Sequence, residues 1–158
     1  MSYEIYCTDI GKLAIVENRG AITNIYFENS IEENIKLFYM EKIETKLSKR
    51  CIFEIREYLD GKLKKFSIPI APDLTLFQKR VFEEVLKIEY GKTASYIEIA
   101  ERVGNKNSAR AVGNANNKNP IPIIIPCHRI IGKNMALKGY SGGLDIKKQL
   151  LKIEKENL

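Results

Sequence analysis

The sequence predicts an α+β fold in two domains: a small N-terminal α/β domain over residues 1–72 and a mainly helical C-terminal domain over residues 73–158. Short runs rich in β-branched and aromatic residues cluster near the N-terminus, as is typical of strands. After residue 73 the apolar residues recur at helical spacing behind capping patterns. The boundary between the two patterns is predicted near Ile70–Asp73, just after a proline-ended strand.

The N-terminal domain begins with three predicted strands. These are Tyr3–Thr8, Leu13–Glu17 and Ala21–Phe27, and the turn residues Asn18–Gly20 predict a hairpin between the last two. The polar stretch Ser30–Lys49 predicts one or two helical segments.

The rest of this domain is predicted to hold a helix and a final strand. Apolar residues of Cys51–Leu59 recur every three or four positions, and Gly61 can end that helix. Phe66–Ile68 is predicted to be a strand ended by proline. No motif in residues 1–68 carries chemistry, so Cys7 and Cys51 are interpreted as core or neutral thiols.

The C-terminal domain is predicted to open with a long helix. Thr75 and Gln78 form a capping box before a helix that should reach about Glu89. A second capping box, Ser95 with Glu98, opens a short helix.

A turn at Gly104–Asn107 leads to a third helix, Ala109–Asn116, with Ser108 as its cap. Two short helices joined by a glycine-containing turn have the outline of a helix-turn-helix.

Positive charge is concentrated in the second domain. Residues 1–73 carry 11 Lys and Arg against 12 Asp and Glu, a net charge of −1, whereas residues 74–158 carry 15 against 8, a net charge of +7. A basic domain points to a polyanionic partner, most simply nucleic acid, and a solvated lysine-rich surface is the alternative.

No apolar run reaches the length of a membrane span, and the N-terminus lacks signal-peptide features. We therefore expect an intracellular protein, cytoplasmic, or nuclear in a eukaryote.

The three cysteines, at positions 7, 51 and 127, are too few for a disulfide framework and show no zinc-binding spacing. Cys127 precedes His128, the only histidine of the chain, after the apolar stretch PIPIIIP. A thiol beside an imidazole suggests an activated sulfur nucleophile in a rigid, mostly dry pocket. The alternative is a small buried cysteine with an incidental histidine.

Three further segments of the second domain stand out. The third helix, SARAVGNANN, is made of small residues around one long cation, Arg110. The small residues would let the helix backbone approach a partner closely, with Arg110 projecting towards it. The alternative is a helix packed tightly against another helix, with Arg110 reaching out to water. The glycine-rich loop Gly132–Gly143 offers backbone groups that could read a flat ligand. A last helix, Asp145–Lys155, contains Glu154, which position alone predicts to be a solvated charge.

The motifs PCHRI, YSGG at 140–143 and LLKIE at 150–154 resemble those of the methylated-DNA–protein-cysteine methyltransferase family, also called O6-alkylguanine-DNA alkyltransferases. SYIEIA, SARAVGNA and NPIPIIIPCHR fit the same family in order, so the resemblance covers residues 74–154. It implies a ribonuclease H-like first domain and a winged-helix, helix-turn-helix-type second domain. The first domain fits only in length and outline.

The resemblance implies a reaction and its catalytic residues. Family members move an alkyl group from guanine O6, and also from thymine O4, irreversibly to their own cysteine. By motif position Cys127 is the acceptor, His128 its base through a water, Glu154 the carboxylate that orients His128, and Tyr96 the donor to guanine N3. This is the nucleophile, base and orienting acid of a triad.

The resemblance also implies how DNA is held. Family members flip the base out of the duplex and bind through the minor groove, with Arg110 filling the vacated space. Asn119 braces the active-site turn. The residues implied to bind DNA or the base are Arg110, Asn119, Ser141, Tyr140, Gly142, Ile130, Pro122 and Arg129. A monomer on double-stranded DNA, with one turnover and no metal or cofactor, is expected.

The sequence departs from the family pattern at Asn116 and Asn117, where many relatives carry larger or apolar residues. Three other functions predict different properties. A damage sensor would lack the reactive cysteine. A Cys–His hydrolase would turn over without DNA. A helix-turn-helix regulator would bind specific sites independently of Cys127.

Overall fold

A computed structural model describes residues 1–133, 136–137 and 139–158, which divide into two units, Met1–Asp73 and Leu74–Leu158. The chain is mixed α/β, as the sequence predicts. Within the described part of the chain, no helix has the length and apolar composition needed to cross a membrane.

The first unit is built on a four-stranded sheet in the order β3-β2-β1-β4. Strands β1 (Ser2–Thr8), β2 (Gly11–Asn18) and β3 (Ala21–Phe27) pair antiparallel, so the predicted strands and hairpin are confirmed. The sequence did not predict the two-residue edge strand β4 (Glu41–Lys42), which pairs parallel to β1.

Two helices accompany the sheet. The polar stretch after β3 forms α1 (Ile31–Phe38), and α2 (Lys46–Leu59) begins five residues earlier than the predicted Cys51. Thr45 explains the earlier start, because it forms a capping box with Ser48. The apolar face of α2 lies against the strands, and Ile55 and Tyr58 are fully buried.

The predicted strand at Phe66–Ile68 is wrong, because side chains bind the backbone there in place of a neighbouring strand. The Ser67 N–H donates to the Glu54 carboxylate, and Arg50 donates to the Ser67 carbonyl. The chain pairs with the sheet only beyond this point, in a single bridge between Ile22 and Ile70.

The second unit is mainly helical. It contains α3 (Leu76–Val85), α4 (Tyr96–Arg102), α5 (Ala109–Asn117) and α6 (Leu144–Glu156). Short strands β5 (Ala94–Ser95) and β6 (Ile130–Ile131) pair parallel. Both predicted capping boxes, at Thr75 and Ser95, are present.

Two details of the helical predictions need correction. Helix α3 ends at Val85 rather than near Glu89, because Lys87 and Ile88 make i−3 hydrogen bonds that turn the chain. Ser108 precedes α5, but its side chain makes no capping bond; the preceding short turn is capped by Asn105 instead. Of the predicted loop Gly132–Gly143, residues 134, 135 and 138 lie outside the described residues.

Candidate active site

The segment between α5 and β6 is a buried, irregular run that ends at Cys127. Asn119 holds its turn closed, since its Nδ2 donates to the Ile125 carbonyl at 2.8 Å and its Oδ1 accepts from the Ile121 N–H at 3.0 Å. Within the turn, Ile123 has a φ of +75°, a conformation that costs a β-branched residue energy. Tight packing maintains this conformation, because Ile123 is 1% exposed. Cys127 is therefore held at the end of a rigid, buried segment.

The chain bends at the cysteine itself. Cys127, His128 and Arg129 form one turn of 3₁₀ helix, closed by a bond from the Ile130 N–H to the Cys127 carbonyl. In an extended segment, neighbouring side chains would point to opposite faces. The turn removes that restriction, and Cys127 and His128 are both buried in the same unit.

Glu154 of α6 lies at the centre of a buried ionic network, so the solvated charge predicted from its position alone is wrong. Its side chain is 1% exposed, and Oε1 is 2.7 Å from His128 Nε2. The Arg129 guanidinium donates to both carboxylate oxygens, at 2.9–3.1 Å, and the Gly91 N–H donates to Oε2. Arg129 also donates to the Ile88 carbonyl, at 2.6 Å.

This network fixes the state of the imidazole. A carboxylate can only accept, so His128 Nε2 carries a proton and donates it to Glu154, while Nδ1 carries the lone pair. Burial lowers the pKa of His128, although Glu154 opposes the shift. A neutral, oriented imidazole is able to take a proton from a thiol.

The Cys127 thiol is held protonated in the resting protein. Cys127 is 1% exposed, and burial raises the pKa of its thiol from 9.0 to about 11. The Asn119 amide and the positive charge of Lys147 oppose this shift. The sulfur therefore needs a base at the moment of reaction.

Tyr96, the first residue of α4, lies close to the thiol and to α5. Burial raises its pKa, and the charge of an ionised Cys127 would raise it further. A Cβ placed on Gly113 would lie 3.6 Å from the Tyr96 ring, so α5 passes this ring closely. At neutral pH Tyr96 is a protonated phenol that can donate a hydrogen bond.

A cavity of about 730 Å³ opens beside these residues. It is lined by Tyr96 at one side, by Arg110, Gly113 and Asn114 of α5, and by Gly139 of the loop. The Arg110 side chain is exposed at its edge. The volume of this cavity is in the range of pockets that bind small organic ligands.

Comparison with known proteins gives a consistent result over the whole chain. Residues 1–72 match the ribonuclease-like domain of 6-O-methylguanine DNA methyltransferase, and residues 76–156 match its DNA-binding domain. A methylated-DNA–protein-cysteine methyltransferase of Methanosarcina barkeri is 40% identical, covering 100% of this chain and 99% of its own. The chain belongs to the 6-O-methylguanine DNA methyltransferase family.

Further relatives agree with this assignment. The constitutive methylated-DNA–protein-cysteine methyltransferase of Bacillus subtilis is 39% identical, covering 94% of this chain and 92% of its own. The crystal structure of Mycobacterium tuberculosis OGT in complex with DNA matches with a TM-score of 0.90 at 34% identity, covering 99% of this chain and 94% of that one. The ribonuclease-like and DNA-binding domain types expected from the sequence are thus confirmed.

For this methyltransferase-family chain, the structure pairs His128 with Glu154 at 2.7 Å. Tyr96 and Asn119 lie close enough to Cys127 to interact with it electrostatically. Pro122 is buried in the same segment, and the remaining predicted base contacts, Tyr140, Ser141 and Gly142, lie on the loop before α6. These residues do not appear in the lining of the described cavity. The Ile130 carbonyl, another predicted base contact, already accepts a hydrogen bond from Lys147 Nζ at 2.7 Å.

Sequence reasoning missed two buried polar residues at this site. Lys147 is fully buried, and burial lowers its pKa. Asn116 is 3% exposed, and its Nδ2 donates to the Cys127 carbonyl at 3.2 Å. The position of Lys147 in the sequence could have indicated its burial. It lies three residues before the apolar Leu150, and residues at this spacing share one face of a helix such as α6. In the sequence, Asn116 stands out only as a departure from the family pattern.

Proposed function

We propose that this protein repairs DNA by direct reversal, transferring the alkyl group of O6-alkylguanine, and of O4-methylthymine, irreversibly to Cys127. The observation that carries the proposal is the buried His128–Glu154 pair, at 2.7 Å, in which His128 directly follows the buried Cys127 in one 3₁₀ turn. Family membership makes this a methylated-DNA–protein-cysteine S-methyltransferase. Its partner is double-stranded DNA, bound by a monomer.

The proposed step is a displacement at carbon. The Cys127 sulfur attacks the alkyl carbon, so that an S–C bond forms as the bond from that carbon to guanine O6 breaks. His128 Nδ1 takes the thiol proton, directly or through a water, and Glu154 stabilises the imidazolium that results. Tyr96 supplies a proton to guanine N3, so that the base leaves as neutral guanine. Tyr96 and His128 then recover their original states by exchange with solvent.

The second unit supplies the DNA-binding parts in this proposal. Helices α4 and α5 form the helix-turn-helix, and the small residues of α5 suit close approach within the minor groove. Arg110 is exposed and takes the place of the flipped base. Ser141, Tyr140, Gly142, Pro122 and the carbonyls of Cys127 and Ile130 surround that base, and Arg129 holds Glu154 in place. Residues 73–158 thus bind DNA and transfer the alkyl group, and residues 1–72 serve as a scaffold.

The thioether product explains why one molecule acts once. A thioether is a poor leaving group, and neither proposed proton-transfer group, His128 or Tyr96, is a nucleophile placed to remove the alkyl group. The alkyl donor is the DNA, so the site of action is the compartment that holds DNA, the cytoplasm or, in a eukaryote, the nucleus.

The test is to mix the purified protein with a duplex carrying one O6-methylguanine, digest the protein and weigh the peptide that contains Cys127. We expect that peptide to gain one methyl group in stoichiometric yield, and Cys127→Ala to show no methylated peptide. An unmodified peptide despite tight binding to the lesion would instead indicate a damage sensor. Methylation that continues beyond one equivalent would contradict single use.

A further inference from the structure

The carbonyl oxygen of Cys127 already accepts two hydrogen bonds. One comes from the Ile130 N–H, which closes the 3₁₀ turn, and the other comes from Asn116 Nδ2, at 3.2 Å. A carbonyl oxygen has two lone pairs, so both are in use. In the proposed function this carbonyl lies beside the flipped base, but it cannot accept a donor from that base unless Asn116 moves away.

Asn116 carries a second polar atom, Oδ1, that is left over. A carbonyl oxygen can only accept, so the amide nitrogen of Asn116 faces Cys127 and the amide oxygen faces elsewhere. Among the residues that the structure describes, none donates a hydrogen bond to this Oδ1, although the atom is buried and the residue is only 3% exposed. A buried acceptor without a donor is unfavourable. The unpaired oxygen therefore indicates a ligand that brings a donor.

Asn116 connects the cavity wall to the turn that carries the thiol. Its Nδ2 contacts the Cys127 carbonyl, and Gly113, one helical turn earlier on the same face of α5, lines the cavity. The Tyr96 ring lies against Gly113 and lines the same cavity. A base that enters beside Tyr96 and reaches Cys127 would therefore meet the Asn116 amide.

The two lesions of the proposed function differ in what they present to an acceptor. In O6-methylguanine, the ring nitrogen next to the alkylated carbon is followed by a carbon that bears the 2-amino group, which donates hydrogen bonds. In O4-methylthymine the equivalent carbon bears O2, which only accepts. An amide oxygen attracts the amine and repels O2, so an unpaired Oδ1 can distinguish the two bases.

We propose that Asn116 is a specificity-determining residue, whose Oδ1 accepts a hydrogen bond from the 2-amino group of the flipped O6-alkylguanine. The inference rests on the proposed function and ranks its two substrates, with O6-alkylguanine ahead of O4-methylthymine. Asn116 keeps its bond to Cys127, so one amide ties the base to the residue that receives the alkyl group. The position that departs from the family pattern thus selects the base.

The test compares single-turnover rates of methyl transfer to Cys127 from three duplexes. They carry O6-methylguanine, O6-methylhypoxanthine, which lacks the 2-amino group, or O4-methylthymine. The wild type should react about 10-fold more slowly with O6-methylhypoxanthine than with O6-methylguanine, because the buried acceptor then stays unpaired. Equal rates on these two duplexes would overturn the inference without the need for any variant.

The variant Asn116→Leu assigns the effect to this residue, because leucine is similar in size but has no polar atom. It should react about 10-fold more slowly than the wild type with O6-methylguanine and no more slowly with O4-methylthymine. The difference between O6-methylguanine and O6-methylhypoxanthine should shrink to about 2-fold or less, because the partner of the amine is missing.

Two other results of this variant would contradict the proposal. A merely structural role of Asn116 predicts equal losses on all three duplexes. Faster transfer from O6-methylguanine would mean that Asn116 has to leave the Cys127 carbonyl to admit the base. Either result overturns the inference but leaves transfer to Cys127 intact, whereas no methylation of Cys127 in the wild type would overturn the proposed function itself.

A matched control and a structure complete the test. Asn107→Leu makes the same substitution at an exposed asparagine in the turn before α5, and it should keep the wild-type ratios between the three duplexes. Thermal unfolding shows whether each variant is folded at the assay temperature. A crystal structure of Cys127→Ser with the O6-methylguanine duplex should place Asn116 Oδ1 about 3 Å from the 2-amino nitrogen. An amide turned away from the base would refute the contact.

Discussion

At the scale of single residues, the site depends on which atoms of His128 carry protons. Glu154 takes the Nε2 proton as a hydrogen bond, and burial keeps the ring neutral. The charge of Glu154 is itself balanced by Arg129, which binds both carboxylate oxygens. In the proposed reaction, His128 is therefore oriented and uncharged before DNA binds, and the thiol proton moves to it only when the substrate is in place.

The transfer rate should depend on the ionisation of His128. The pKa of His128 is lowered from its ordinary 6.5, so the imidazole stays neutral above that pH and becomes protonated only below it. The single-turnover rate should be constant through neutral pH and fall as the pH drops, with a midpoint below about 6.5. Rates measured from pH 5 to 8 check this. His128→Gln should be slow and lack that decline, and a midpoint above 6.5 would contradict the assignment.

Single residues also show how far sequence reasoning reaches. Cys127 and His128 were found because they are rare, adjacent and follow a proline-stiffened run. Glu154 was found only through the family resemblance, since on its own helix it looks like any exposed charge. The partners of that carboxylate, His128, Arg129 and Gly91, come from distant positions, and only the folded chain brings them together.

At the scale of secondary structure, sequence patterns predicted helix starts that are set by contacts between residues close in sequence. Capping boxes placed the starts of α3 and α4 correctly. The wrongly predicted strand lies where distant groups bind the backbone, whereas the early start of α2 follows from a local capping box at Thr45 that sequence reasoning missed. Glu54 and Arg50 bind Ser67 in place of a strand. Helix α3 ends early, and the Ile88 carbonyl beyond it accepts from Arg129.

Helix α5 should trade stability against function at Gly113. A Cβ there would meet the Tyr96 ring at 3.6–3.7 Å, which is ordinary contact. Glycine within a helix is less stable than alanine by about 0.5–1 kcal/mol, so Gly113→Ala should raise the free energy of unfolding by about that amount. The same methyl group would narrow the lined cavity and weaken binding to lesion-containing DNA. Denaturant unfolding measures the change in stability, and DNA titration measures the change in binding. A lower free energy of unfolding in Gly113→Ala would contradict the expected gain from alanine in the helix.

At the scale of the whole molecule, charge divides the tasks. The net charge of +7 lies in residues 74–158, where the helix-turn-helix and the cysteine also lie, and residues 1–73 carry −1. Phosphate contacts give affinity without reading sequence, which suits a protein that must search all DNA for rare lesions. Composition alone revealed this uneven charge, because net charge needs no knowledge of the fold, but it left a nucleic acid partner and a solvated lysine-rich surface as alternatives.

DNA affinity should therefore fall as salt rises, and the basic residues of the second unit should account for the slope. Lys133 lines the cavity beside α5, so Lys133→Glu should weaken binding and flatten the plot of log affinity against log salt concentration. The matched control is Lys36→Glu, an exposed lysine of the first unit that pairs with Glu32. Equal losses in both variants, measured by DNA titration at several salt concentrations, would contradict a local origin of the affinity.

The burial of Cys127 has a further consequence for a molecule that acts once. A cell contains many small electrophiles, and an open thiolate would be consumed by them long before a lesion is met. Cys127 is buried and protonated at rest, whereas Cys7 is exposed. In the proposed reaction, the thiol reacts only when a flipped base brings its alkyl carbon to the sulfur. The packing that makes the cysteine a weak nucleophile in isolation thus preserves its single reaction for damaged DNA.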